Sequence, residues 1–133
     1  MTRYVIDAQT LLHLVTHDVV VNAGHQLVAP TIIRSQALAL LLDAVRADKM
    51  SEPEALAHHE RLTELKMRLL SDRVSRRTAW KLAREHGWAT TLDAEYFAVC
   101  RLQADALVTV DETIAALASG IVPLAPLEAL SNA

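Results

Sequence analysis

Short apolar runs alternate with longer segments of helical periodicity along the chain of 133 residues. The runs at 4–6, 27–29 and 106–110 are rich in β-prone residues, which predicts strands buried on both faces. A fourth run, 121–124, contains a proline and therefore predicts a strand at the edge of the sheet. Buried strands separated by helices are typical of a parallel sheet, so the pattern predicts a three-layer α/β/α fold.

The segments between these runs have apolar residues three and four positions apart, which is the spacing of helices. Pro30 suits the first turn of a helix, Ser51 and Glu54 form a capping box, Ser75 is a candidate N-cap, and Gly87 ends a helix. The predicted helices cover residues 8–15, about 32–47, 52–70, 76–86, 94–103 and 112–118. No strand is predicted between residues 31 and 70.

Length and composition indicate a single domain over residues 1–133, with 52% hydrophobic residues and a net charge of −3. An acidic chain does not bind nucleic acid through its bulk charge, but a local basic patch remains possible. The one cysteine, Cys100, has apolar neighbours, which predicts a buried and unreactive thiol. The chain begins without the pattern of a signal peptide and has no apolar stretch of membrane-spanning length, so we expect a cytoplasmic protein.

Three aspartates stand at the predicted ends of elements. Asp7 and Asp111 directly follow strands, and Asp93 stands where the helix at 94–103 needs an N-cap. The carboxyl ends of parallel strands meet at one edge of a sheet, where the functional crevice of such folds lies. Converging carboxylates repel one another, and Mg²⁺ or Mn²⁺ compensates that repulsion. Each aspartate taken alone is equally well explained as a helix cap, so only the set favours a metal site.

Three short motifs also resemble those of one family. Residues 4–8 read Tyr-Val-Ile-Asp-Ala, residues 91–96 read Thr-Leu-Asp-Ala-Glu-Tyr, and residues 107–111 read Leu-Val-Thr-Val-Asp. In order and spacing they are similar to the motifs of PIN domains, and the length matches that of VapC-like toxins. The resemblance implies a PIN-like fold and a Mg²⁺- or Mn²⁺-dependent endoribonuclease with Asp7, Asp93 and Asp111 as catalytic residues and metal ligands. It also implies RNA as substrate and a cognate antitoxin as partner.

One position departs from the family pattern. The resemblance places a glutamate after Ala29-Pro30, at the position that Gln36 occupies here. A glutamine keeps an oxygen that can bind a metal but loses the negative charge and any role as a general base. The alternative to an active nuclease is therefore a weakened PIN module that binds RNA or an antitoxin without efficient cleavage.

Four further residues are weighed for substrate contact. Arg76, Arg77 and Lys81 belong to a basic run that predicts phosphate contacts, with an ordinary solvated face as the alternative. Thr109 is a candidate for holding a water or a phosphate oxygen, with local backbone bonding as the alternative. Trp80, within the basic run, is expected in the core or in an interface rather than as a platform for stacked bases.

The leucines between Leu56 and Leu70 exceed what one buried face requires, which fits a homodimer or an antitoxin groove as well as a thick local core. A phosphotransfer domain is a weaker reading of the segment 7–10, because Gln9 stands where a second acid is expected.

Overall fold

The computed structural model describes all residues from Met1 to Ala133 and contains one sheet of four parallel strands. The strands are β1 (Thr2–Ile6), β2 (His25–Pro30), β3 (Arg68–Leu70) and β4 (Ala106–Val108). Their spatial order is β3-β2-β1-β4, and all three strand pairs are parallel.

Six α-helices cover the sheet. They are α1 (Ala8–Thr16), α2 (Ile33–Arg46), α3 (Glu52–Glu64), α4 (Arg73–His86), α5 (Leu92–Gln103) and α6 (Glu112–Ala118), followed by a 3₁₀ turn at Leu127–Leu130. Helices α1, α2 and α3 pack against one another, whereas α4 packs against α5, and α5 lies on β1, β2 and β4. The fold is therefore the three-layer α/β/α arrangement with a central parallel sheet that the sequence predicts.

The core lies where β1 and the adjacent edge strand β4 meet α5. Val5 and Ile6 of β1, Leu107 and Val108 of β4, and Phe97 of α5 are completely buried. Full burial of one such side chain contributes about 1.5–3 kcal/mol. The buried parts of β1 and β4 thus have both faces covered, which is why they read as continuous apolar runs.

The strand order places a crevice at the carboxyl ends of β1 and β4. The chain passes from β1 to β2 and β3 on one side of the sheet, and then returns to place β4 on the other side of β1. Such a reversal separates the loops that follow the two strands and opens a crevice between them. Ile6 is paired with Val108, so the residues immediately after them, Asp7 and Thr109, begin the walls of this crevice.

The prediction of one helix as far as Leu70 was wrong. Helix α3 ends at Glu64, Leu65 is already extended, and residues Arg68–Leu70 form β3 against β2. A strand of three residues is too short to show a period of two, and its leucines coincide with helical spacing. The backbone N–H and C=O groups at the open edge of β2 need hydrogen-bond partners. Residues Arg68–Leu70 supply them by pairing with β2, so this segment is a strand.

Three further predictions needed correction. Pro30 is the last residue of β2, and the next helix begins only at Ile33. The cap of α4 is Asp72, whose side chain accepts a hydrogen bond from the Ser75 N–H at 2.7 Å, so Ser75 is not the cap. The run at 121–124 forms no strand but a single parallel bridge between Leu124 and Leu107 at the edge of β4.

Two helix boundaries were predicted correctly. Ser51 and Glu54 form a reciprocal capping box at the start of α3. Gly87 ends α4 with a positive φ of 67°, a conformation that glycine adopts without a steric penalty. None of the helices combines the length and the hydrophobicity that a bilayer-spanning segment needs.

Candidate metal centre

Asp7 is the most constrained of the three aspartates. It follows β1, is only 5% exposed, and caps α1. Its Oδ1 accepts hydrogen bonds from the Thr10 N–H at 3.1 Å and from the Thr10 hydroxyl, while its Oδ2 accepts from the Thr109 hydroxyl at 2.8 Å. A buried carboxylate needs such donors, because an unpaired one is costly to remove from water. Asp7 is therefore a helix cap and also a fixed wall of the crevice.

The two threonine hydroxyls join the ends of β1 and β4. The Thr10 hydroxyl accepts from the Val110 N–H at 3.1 Å, and the Thr109 hydroxyl accepts from the Asp111 N–H at 3.0 Å. Each hydroxyl donates to Asp7 and accepts from the loop after β4, so it uses its one proton and one lone pair at the same time. Thr109 thereby acts on Asp7 and Asp111 as a positioning residue.

Asp111 is the N-cap of α6, as the alternative interpretation of this residue proposed. Its Oδ1 accepts from the Thr113 N–H at 2.9 Å and from the Ile114 N–H at 3.4 Å. Its Oδ2 has no hydrogen-bond partner within the protein and remains available to a ligand. Capping and ligand binding are thus compatible, because they use different oxygens of the same carboxylate.

Asp93 lies in the first turn of α5, one residue inside the helix. The N-cap of α5 is Thr91, which makes no side-chain capping bond, so the prediction of Asp93 as N-cap was wrong. Asp93 is half-buried, and burial raises the pKa of its carboxyl, with further increases from the negative charges of Asp111 and Asp7. Asp93 therefore lies close enough to both Asp7 and Asp111 to be affected by their charges.

Gln36 reaches the same place from α2. The Tyr96 hydroxyl donates to the Gln36 Oε1 at 2.5 Å. Tyr96 is 3% exposed, and burial raises its pKa, as do the nearby Asp7, Asp93 and Glu95, so the phenol keeps its proton. Sequence reasoning did not single out Tyr96; its position three residues after Asp93, on the same helical face, was the available signal.

The four predicted ligands line one cleft of about 280 Å³. Asp7, Gln36, Asp93 and Asp111 share it with Tyr96. Its remaining lining residues are Ala8, Gln9, Ala39, Leu40 and Ile114. The structure thus brings together residues that the sequence separates by as many as 104 positions, from 7 to 111.

The chemical nature of the available donor atoms suits a hard cation. All donors are oxygens, and a carboxylate oxygen has about two acceptor sites, so Asp7 Oδ2, Asp111 Oδ2 and both Asp93 oxygens retain capacity. No group of three or more histidine, cysteine, aspartate or glutamate side chains is already close enough to hold a metal ion. Binding therefore requires these side chains to move closer together. Asp93, which makes no hydrogen bond, is the least constrained.

The predicted phosphate-contacting residues lie outside the acidic cleft. Arg76 lines a second cleft of about 560 Å³, whereas Arg77 and Lys81 line a separate depression together with Arg73. All four side chains are exposed, and the protein's single ion pair joins residues elsewhere, Arg61 and Asp18. These four basic side chains are thus available to bind an anion.

The two tryptophans have different environments. Trp80 is 63% exposed and lines the second cleft with Arg76, so it lies outside the core, and its predicted place in an interface stays a prediction. Trp88 is half-buried, stacks on His86 at 4.8 Å between ring centroids, and meets the Phe97 ring at 5.6 Å.

Cys100 is buried as predicted. It is 1% exposed within α5, and burial raises the pKa of its thiol to about 11. Since the thiolate is the reactive form, this cysteine has no part in the chemistry of the cleft.

No protein-family model matches the chain, and no curated protein matches it either. Among solved structures, the chain is similar to the crystal structure of PAE2754 from Pyrobaculum aerophilum, with a TM-score of 0.73 and 23% sequence identity. The similarity covers 97% of this chain and 93% of that one, so the two share the fold over nearly their whole length.

Proposed function

We propose that this protein is a Mg²⁺- or Mn²⁺-dependent endoribonuclease of the PIN-domain type that acts as the toxin of a toxin–antitoxin pair. The observation that carries the proposal is that Asp7, Asp93 and Asp111 line one cleft at the carboxyl edge of the sheet. The resemblance of three ordered motifs to those of PIN domains supports the choice of chemistry, and the three-layer fold is compatible with it.

In the proposed function the carboxylates bind the cation. Asp7, Asp93 and Asp111, with the oxygen of Gln36, would bind one or two divalent ions, and a bound ion polarises the scissile phosphate and lowers the pKa of a water molecule. Without cations, three negative charges repel a phosphodiester. The cleft therefore favours an RNA backbone only after a cation has entered.

The hydroxyls of Thr10 and Thr109 hold Asp7 in one orientation. A ligand whose donors are already bonded loses little conformational freedom when an ion binds, and such supporting residues tune metal affinity. The pKa of the Asp93 carboxyl is raised by burial and by the negative charges of Asp111 and Asp7. A bound cation relieves that repulsion, so the ionised form of Asp93 is favoured when the cation is present.

A second candidate function is a PIN module that binds RNA or an antitoxin without efficient cleavage. The contact between Tyr96 and Gln36 favours it, because the tyrosine proton occupies one lone pair of the oxygen that would bind the metal. Neutral Gln36 also leaves the cleft one negative charge short of the family pattern.

The proposal extends to partners and location. Leu38 and Leu42 of α2 and Leu56 of α3 are each about half exposed, at 47%, 54% and 58%. Two neighbouring helices with exposed leucines are suited to a homodimer or to a bound antitoxin segment. A toxin that cleaves cellular RNA acts in the cytoplasm.

The test is RNA cleavage by the purified chain with Mg²⁺ or Mn²⁺, with chelator, and after Asp7→Asn. The control is Asp43→Asn, an exposed carboxylate outside the cleft. The proposal expects cleavage that chelator and Asp7→Asn abolish and Asp43→Asn preserves. Cleavage that survives both treatments contradicts it. Weak cleavage that rises sharply in Gln36→Glu supports the second candidate.

A further inference from the structure

The second cleft adjoins the acidic one. At about 560 Å³ it falls within the range of roughly 300–1,000 Å³ that is usual for small-molecule sites. Neighbouring residues of the same helices line both clefts: Ser35 and Glu95 face the second cleft, while Gln36 and Asp93 face the acidic one. A chain of nucleotides that crosses the acidic cleft is therefore placed to reach the second cleft as well.

The second cleft has an aromatic ring and a cation on one wall. Arg76 and Trp80 are four positions apart on α4, which places them on one helical face. Trp80 is 63% exposed although indole gains from burial, and Arg76 has no carboxylate partner. An exposed aromatic ring beside a free cation is the arrangement that binds single-stranded nucleic acids by stacking and phosphate contact.

The second cleft also has a carboxylate in its lining. Glu95 projects from α5 into the second cleft and makes no hydrogen bond within the protein. A carboxylate repels phosphate but accepts hydrogen bonds from the amino group of cytosine. The mostly polar lining, with Thr31, Ser35 and Thr91, argues against an apolar helix of a partner protein as the occupant.

We propose that the second cleft is a nucleobase subsite, in which Trp80 stacks on one unpaired base, Arg76 contacts a phosphate, and Glu95 accepts from the edge of the base. This inference rests on the proposed nuclease function and adds a residue set for substrate selection to it. Trp80, Arg76 and Glu95 are then specificity residues for single-stranded RNA next to the acidic cleft.

The test is binding of short single-stranded oligoribonucleotides in chelator, followed by tryptophan fluorescence and by anisotropy of a labelled RNA. Stacking quenches Trp80, and Trp80→Ala is expected to remove the quenching and weaken binding about tenfold, the usual loss for one stacked base. Trp80→Phe keeps a ring and should restore most of the affinity. Trp88→Phe is the matched control, since Trp88 is packed against His86 and Phe97 and should not sense the RNA.

The polar residues have separate readouts. Arg76→Ala should lower the dependence of binding on salt by about one phosphate contact. Oligocytidine should bind more tightly than oligouridine, and Glu95→Gln should reduce that difference. Equal binding of the two pyrimidines by the unmodified chain overturns the role of Glu95.

Failure of the subsite is distinguishable from failure of the nuclease. Binding that depends on Trp80 without any metal-dependent cleavage supports the subsite and contradicts the nuclease. Cleavage with an unchanged KM in Trp80→Ala, or quenching that only Trp88→Phe removes, overturns the subsite and leaves the nuclease in place. Absence of oligonucleotide binding at low salt, in chelator and with Mg²⁺ alike, also overturns it, and then a protein segment is the occupant to test.

Discussion

The acidic cleft and the basic face of α4 carry opposite charges and are built in different ways. Asp7 is 5% exposed and accepts three hydrogen bonds, two of them from hydroxyls. The face formed by Arg73, Arg77 and Lys81 is exposed, and none of these side chains has a carboxylate partner. The position of the carboxylates thus depends on the strand order of the sheet. The position of the basic side chains depends only on their spacing along α4.

This difference predicts different sensitivities to substitution. A buried carboxylate whose oxygens have defined partners cannot be replaced without loss of geometry, charge and cation binding. An exposed cation contributes to phosphate affinity as one of several equivalent charges, and salt screens it. Substitutions in the two regions should therefore change different quantities: turnover in the cleft, and salt-dependent affinity on the helix.

The largest expected effect is that of Asp7→Asn compared with Arg77→Ala. Loss of a metal-binding charge should lower the rate of RNA cleavage about a thousandfold, because several kcal/mol of electrostatic stabilisation disappear. Arg77→Ala should lower affinity only severalfold and reduce its salt dependence by about one phosphate contact. Initial rates over a range of salt concentrations measure both. Similar losses of kcat in the two variants would contradict the contrast between the regions.

Thr10→Val should come next, since it removes the donor to Asp7 and the acceptor of the Val110 N–H. Leaving buried polar groups unpaired costs about 1–3 kcal/mol of stability, and disturbed support of a metal ligand lowers affinity about 10–100-fold. Denaturant unfolding and cation titration measure the two effects. Thr113→Val is the matched control, because Thr113 is exposed and its hydroxyl makes no bond. Equal stability losses in the two variants would count against the hydroxyl pair.

Gln36→Glu should strengthen cation binding about tenfold, because a fourth carboxylate adds charge to an oxygen site. Tyr96 is positioned to donate to the new carboxylate as it donates to the glutamine oxygen. Calorimetric titration with Mn²⁺ measures the change, and Gln9→Glu, on another wall of the cleft, tests whether any added charge suffices. An effect of Gln9→Glu as large as that of Gln36→Glu would show that position 36 has no special role.

The smallest expected effect is a gain of stability in Asp93→Asn without metal. The pKa of Asp93 is raised in the folded protein, so its ionised form destabilises the fold at neutral pH, and that penalty vanishes below about pH 4, the usual carboxyl pKa. The variant should therefore have a higher Tm at pH 7 and an unchanged Tm in acid. Thermal unfolding at several pH values measures it, with Asp43→Asn as control. A lower Tm at pH 7 would contradict the repulsion.

Much of the fold could be predicted because the apolar runs 4–6, 27–29 and 106–108 lie within β1, β2 and β4 and are bounded by turn signals or polar residues. Strand β3 could not, since Arg68–Leu70 is too short for a period and depends on the open edge of β2. The aspartates were predictable because Asp7 and Asp111 follow strands directly. The hydroxyl bonds of Thr10 and Thr109 were not, because they link the loops after β1 and β4, about a hundred positions apart.

The basic run predicted phosphate contacts for Arg76, Arg77 and Lys81 but not which cleft each would line. Arg76 and Arg77 are adjacent in sequence and line different depressions, since successive helical residues point about 100° apart. The exposure of Trp80 was equally hidden, because an aromatic residue within a helical pattern is read as core unless tertiary packing is known.

The proposed function requires that Asp7, Asp93 and Asp111 together bind a divalent cation. Mn²⁺ binding to the metal-free protein, followed by paramagnetic broadening of backbone amide signals, tests it most directly. Broadening should be centred on residues 7–10, 93–96 and 109–114, and it should be lost in Asp111→Asn and kept in Asp43→Asn. Broadening centred elsewhere, or unchanged in Asp111→Asn, would contradict the metal centre and the nuclease built on it.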